Sequence, residues 1–179
     1  MDSPGRSTFS TASHLRRDFT SADCREPAIG KLYDYWQAQR GSHRFPARGD
    51  LDPLEMKPAL GGITIFEVHR NIPVPGRLRF RYRLIGSDIV ARDGFDLTGK
   101  WLDELPLQQY RALLTGRLEM LCADPGPLLV RNKQFYDERW FDYEAIWLPL
   151  ASDHQTLDML MACQIFASTP SSHMGLPVA

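Results

Sequence analysis

Arg77-Leu78-Arg79-Phe80-Arg81-Tyr82-Arg83-Leu84-Ile85-Gly86 alternates arginine with a large apolar residue along most of its length. Successive side chains of a β-strand point to opposite faces, so this stretch reads as a half-buried strand. Leu78, Phe80, Tyr82 and Leu84 are expected to face a core. Arg77, Arg79, Arg81 and Arg83 are expected to face water, a partner or an anion. Gly86 and Ser87 end the strand, and the pattern implies a sheet with one covered face.

On the upstream side, Ile63 to His69 is a β-branched and aromatic run released by Gly61-Gly62. The Pro-rich segment Asn71 to Gly76 can fold it back onto the arginine strand as an antiparallel hairpin. Further upstream, Ile29, Leu32, Tyr33 and Trp36 fall at i, i+3, i+4 and i+7, one stripe of an amphipathic helix over Asp23 to Arg40, stopped by Gly41. Asp52-Pro53 reads as a cap and first residue of a short helix to Leu60.

Downstream, Ser87 to Arg92 is expected to be a short helix closed by Gly94. Tyr110, Leu113, Leu114, Leu118 and Leu121 mark a longer helix after Pro106. Leu128 to Tyr136, Trp140 to Leu150 and Thr156 to Phe166 then read as three strands joined by short turns. In the last of these, Leu157, Met159, Met161, Cys163 and Ile165 form one row, and Leu160, Ala162 and Phe166 lie opposite. A strand apolar on both faces belongs in the middle of a sheet covered on each side. The fold class is α+β.

The chain has 179 residues, a formal net charge of −1 and 24% charged residues. One domain is expected over 23–167, with disordered tails at 1–22 and 168–179. The charge balance favours neither nucleic acid nor an anionic membrane as partner. Cys24, Cys122 and Cys163 have no metal or redox spacing, and no apolar run is long enough to span a bilayer. The first residues lack a signal-peptide core, so a cytoplasmic location is expected. His14, His43, His69, His154 and His173 show no ligand spacing, and no metal site is expected.

The ordered part is similar to a bacterial subfamily of small PAS-like proteins. The residues that carry the resemblance are Tyr35-Trp36, Pro46-Ala47-Arg48, Leu51-Asp52-Pro53, Arg81 to Gly86, Asp96 to Lys100 and Leu148-Pro149-Leu150. It implies a five-stranded antiparallel sheet of spatial order 2-1-5-4-3, with a helical insert between strands 2 and 3 and the N-terminal amphipathic helix on the outer face. It also implies a sensory or adaptor role in signalling, and it supplies no catalytic residue. Cys122 is followed by Ala-Asp-Pro-Gly, unlike the flavin-binding motif of light-sensing relatives. No cofactor is assigned.

In PAS-like proteins ligands sit between sheet and insert. Here Phe80, Tyr82, Phe95, Trp101, Tyr110, Tyr143 and Trp147 are the expected lining, or else the filling of a closed core. Arg79, Arg81 and Arg83 are weak candidates for an anion site, or else a charged edge that resists sheet pairing. Ile29, Leu32, Tyr33 and Trp36 are expected either to cover their own sheet or to form a dimer or partner interface. A cone-shaped α+β enzyme would place an acid or histidine on an inward row, and the rows Phe141/Tyr143/Ala145/Trp147 and Leu157/Met159/Met161/Cys163 have none. The expected function is therefore a non-enzymatic signalling module that binds a small molecule and relays its state to a dimer mate or a signalling protein. The alternative is a ligand-free adaptor.

Overall fold

The computed structural model describes residues 10–72, 76–106, 108–136 and 139–167. Among these residues six strands form one antiparallel sheet: β1 Ser10–Arg16, β2 Ile63–Arg70, β3 Leu78–Ile85, β4 Leu128–Tyr136, β5 Arg139–Leu150 and β6 Met159–Phe166. Their spatial order is β1-β4-β5-β6-β2-β3. Three α-helices accompany them: α1 Pro27–Arg40, α2 Ser87–Asp93 and α3 Gln108–Ala123.

β6 lies between β5 and β2, and Leu160, Met161, Ala162 and Cys163 are all buried, as both of its apolar rows require. The five strands expected from the sequence run β3-β2-β6-β5-β4, and a sixth, β1, is added beside β4. Residues 10–16 were expected within a disordered tail. They pair instead with residues 129–135 of β4, a tertiary contact that Ser/Thr-rich composition does not reveal. Residues 1–9 and 168–179 lie outside the described residues.

Register fixes the two faces. Phe80, Tyr82, Tyr143, Ala145 and Trp147 line the face toward the insert, with Phe66 between Tyr82 and Trp147 at ring-centroid distances of 4.7 and 6.0 Å. The arginine strand departs from strict alternation at its end. Ile65 opposes Leu84 while Phe66 opposes Tyr82, which leaves Arg83 as the extra residue of a β-bulge. Leu84 therefore turns to the outer face, 39% exposed, and Ile85 takes the inward position expected of it.

The segment after Asp52 also differs from expectation. Pro53 to Met56 are turns, and Lys57–Gly62 is a 3₁₀ helix rather than the end of an α-helix. Gly61-Gly62 and Gly86 explain the tight geometry there: a Cβ on Gly62 would stand 2.3 Å from the Gln164 carbonyl oxygen. α2 starts after Gly86 rather than being capped by the Ser87 side chain, and Gly94 closes it in the left-handed conformation.

α1 covers the outer face. Ile29, Leu32 and Trp36 are buried against the sheet of their own chain, each contributing roughly 1.5–3 kcal/mol by burial. The Trp36 indole N–H donates to the Pro149 carbonyl at 3.1 Å, and Tyr33 packs against Phe19. This resolves the two readings of the stripe: it is spent inside the chain and is not presented as a dimer surface.

Glu144 holds the other end of α1. It is 3% exposed, accepts from Arg131 Nε at 3.0 Å, and takes the Glu26 backbone N–H at 2.9 Å, so one buried carboxylate faces the positive end of the helix. Glu144→Gln should lower unfolding free energy by about 1–3 kcal/mol, less than for a fully buried pair because Arg131 is part-solvated. An unchanged denaturant midpoint would show that this anchor carries no weight.

Candidate functional site

The face between the sheet and the insert is the natural place for a ligand, and the chain fills most of it with its own side chains. Tyr82, Phe95, Tyr110 and Trp147 converge there with Phe66, Leu105 and Leu114. The space they leave is about 30 Å³. That is the share of a single water, far below the ~300–1,000 Å³ of a small-molecule site.

The polar groups in this layer are few and mostly engaged. The Tyr110 hydroxyl hydrogen-bonds the Gln164 side chain, and Asn132 Nδ2 donates to the Tyr143 hydroxyl at 2.7 Å. Ser13 of β1 donates to the Asn132 side-chain oxygen Oδ1, and its hydroxyl accepts from Arg117 Nη2 of α3 at 3.3 Å. Burial pushes the Tyr143 hydroxyl up to about 12 and raises Tyr82 and Tyr110 as well, so all three stay neutral donors. The Trp147 indole Nε1 is buried with no hydrogen-bond partner among the described residues.

Of the seven residues expected to line this space, Tyr82, Phe95, Tyr110 and Trp147 border the cavity, Phe95 at its mouth with 36% exposure. Tyr143 sits further along the same layer, in the Asn132 network. Phe80 forms the floor of a separate open groove. Trp101 does not belong with them: it bridges to Arg81 beyond the free side of β3, lies under the Arg79 guanidinium at 3.9 Å, and meets His69 edge-on at 5.0 Å. The insert carries Trp101 to the sheet margin, because the Tyr82 N–H donates to the Lys100 carbonyl and the Gly99 N–H donates to the Tyr82 carbonyl, a short extra edge that ends in Trp101. Phe66, Gln164 and Asn132 belong to the layer and were missed. Alternation along β2 and the burial of a central strand were the available signals, but neither tells a buried amide from a surface one.

The open groove, about 750 Å³, runs between the start of β3 and α3. Leu78, Phe80 and Ala112 line it, with Arg77, Arg79 and Arg111 among its polar groups.

On the outer face the arginine row is largely matched by carboxylates of its own chain. Asp103 accepts Arg79 Nε at 2.7 Å and Nη2 at 3.1 Å, and Arg79 holds its carboxyl below the usual carboxylate range. Glu67 stands 2.9 Å from Arg81 Nε, 3.2 Å from His69 and 3.7 Å from Arg83. Asp103 and Glu104 fix the insert, Asp103 through Arg79 and Glu104 through the Trp101 backbone N–H. Asp142 and Glu144 pair with Lys133, Arg25 and Arg131 on their own side of the sheet, away from the arginine strand.

The three cysteines are free, and burial raises the Cys24 and Cys122 thiols to about 11 and Cys163 to about 12, which suppresses thiolate chemistry. Among the described residues no group of three or more His, Cys, Asp or Glu side chains could hold a metal, and no helix is long and apolar enough to cross a membrane.

An antiparallel sheet with a helical insert against one face and a preceding helix on the other defines a sheet-and-insert α+β module. The chain belongs to the PAS domain family, whose model matches residues 24–164. Neither the curated proteins nor the solved structures gave a significant match.

Proposed function

We propose that this PAS domain is a non-enzymatic signalling module that acts by docking a partner, either a second copy of itself or another signalling protein. The observation that carries the reading is the filled interior: aromatic side chains occupy the space between sheet and insert and leave about 30 Å³. The stripe of α1 is consumed within the chain, so the surface left for a partner is the outer face of β2 and β3. There Arg81, Arg83 and Leu84 remain part-exposed. A partner that prefers one arrangement of insert and sheet shifts the balance between them, and it does so only through unequal affinity for the two.

A second reading rests on the 750 Å³ groove, where an apolar floor next to Arg77 and Arg111 suits an amphipathic carboxylate. Native mass spectrometry of the protein purified from its own host separates the two. The expected spectrum shows the polypeptide mass alone, as monomer or assembly. A reproducible added mass that is lost on unfolding would reject the filled-interior reading in favour of a groove ligand.

A further inference from the structure

The free margin of β3 is closed for only part of its length. The Tyr82 N–H donates to the Lys100 carbonyl at 2.9 Å and the Tyr82 carbonyl accepts the Gly99 N–H at 2.7 Å, so the insert lays a short extended segment along the strand. That segment ends at the Arg81–Trp101 bridge, and residues 102–104 turn away as a 3₁₀ helix.

Antiparallel geometry sets which main-chain groups are left. Every second residue of an edge strand turns its N–H and C=O away from the neighbouring strand. Val68, opposite Phe80, donates to the Asp158 carbonyl across the sheet at 2.8 Å, and the Arg77 carbonyl accepts the Asn71 N–H at 3.2 Å. Phe80 and Leu78 therefore face outward, as Tyr82 does. Among the described residues nothing bonds the Phe80 N–H or either main-chain group of Leu78. Phe80 is 2% exposed, so its N–H is withdrawn from bulk water without an acceptor in the chain, an arrangement that costs free energy.

The groove of about 750 Å³ runs along this stretch. Gln108, Arg111, Ala112, Thr115, Gly116 and Glu119 recur at helical spacing, so one face of α3 is its far wall. From residue 108 to residue 119 that wall is on the order of 16 Å long, the reach of about five extended residues. Ala112 and Gly116 leave room in front of it, since a Cβ on Gly116 would meet nothing within 4 Å.

The charges along the groove favour an acidic occupant. Asp103 is taken by Arg79 at 2.7 Å. Arg111 spends Nη1 on the carbonyls of Asp103 and Leu105, at 3.0 Å each, and Arg77 is exposed. Neither has a carboxylate within ion-pair distance among the described residues, and of the lining carboxylates Glu119 is the one left to offset them. Pro73, Val74, Pro75 and Leu107, chain neighbours outside the described residues, carry no charge.

We infer that this margin docks an extended acidic segment of a partner protein, added to β3 at Leu78 and Phe80 as a further short strand. Main-chain bonds to these two residues give affinity, the small face of α3 admits apolar side chains, and Arg77 and Arg111 select carboxylates. The amphipathic carboxylate that suits the groove is then a side chain of this segment. Such a site presupposes the docking role proposed above and adds the partner's chemistry to it.

Fluorescence anisotropy of the intact protein with a labelled peptide of alternating aspartate and valine tests the site. Saturable binding is expected, weakening as salt is raised. The same peptide with lysine for aspartate should bind at least about tenfold more weakly, because like charges then meet. N-methylation of the peptide main chain should also weaken binding, since strand addition needs its N–H groups. Gly116→Leu, a change a helix tolerates, fills the groove and should abolish binding. Leu78→Pro removes an outward donor at an edge position where proline is accepted, and should weaken binding about fivefold, the worth of one hydrogen bond. Three results overturn the proposal: no saturable binding of the aspartate peptide, equal binding of the lysine or N-methylated peptide, or wild-type affinity in a Gly116→Leu variant shown by circular dichroism to be folded. None of them alters the native mass spectrum that tests the docking role, so the two can fail separately.

Discussion

Trp36→Ala should destabilise the fold by about 3–5 kcal/mol, a large share of the ~5–15 kcal/mol that holds a domain of this size together. The side chain is 1% exposed, packed between α1 and the sheet, so its removal leaves a cavity that neighbouring groups can only partly close. The Pro149 carbonyl also loses its donor inside the core. Trp36→Phe restores most of the packing without the N–H and should recover more than half of the loss. Chemical denaturation of the three proteins checks this. An alanine variant with wild-type stability and an altered solution mass would mean that the indole serves an intermolecular surface, and the intramolecular account would fail.

Gly86→Ala is expected to be comparably severe, for a reason unconnected with side-chain burial. Gly86 has an ordinary extended backbone, φ −69° and ψ 153°, which any residue adopts. The constraint is proximity: an added Cβ would lie 2.2 Å from the Gly61 carbonyl oxygen and 2.7 Å from that of Leu60. Both neighbours are backbone atoms and cannot swing aside. Relief requires β3 and the Lys57–Gly62 turn to separate, which breaks the Gly86 N–H to Ile63 carbonyl bond of 2.7 Å. Overpacking plus that loss amounts to about 3 kcal/mol or more. The thermal midpoint should fall by many degrees, and an unshifted midpoint would show that the two segments are not tightly joined.

These two positions also show what the sequence could and could not convey. Trp36 announced itself through helical spacing with Ile29, Leu32 and Tyr33, and the double-faced β6 announced its central place through two apolar rows. The helix's choice of covering its own sheet could not be read, because an apolar stripe is equally satisfied within the chain or across a dimer. Gly86 was legible only as a strand terminator, since close approach of two backbones leaves no mark in composition. The bulge at Arg83 was invisible for a related reason. Alternation predicts Leu84 inward, and one extra residue reverses every later position.

At the candidate site the aromatic residues were found by type and by face, yet Trp101 was misplaced. The face of a strand residue follows from parity, whereas Trp101 lies on an insert whose path is set by hydrogen bonds to Tyr82 and by the Asp103 contact with Arg79.

That same added strand means the cooperative unit is larger than the region by which the family is recognised. The match begins at residue 24, yet β1 precedes it, and Ser13 closes the polar chain that links Asn132 of the sheet to Arg117 of the insert. A chain cut back to the match would bare the margin of β4 to any passing strand and take the Ser13 donor from the Asn132 side-chain oxygen, so β1 is a structural seal for the fold and not an appendage to it.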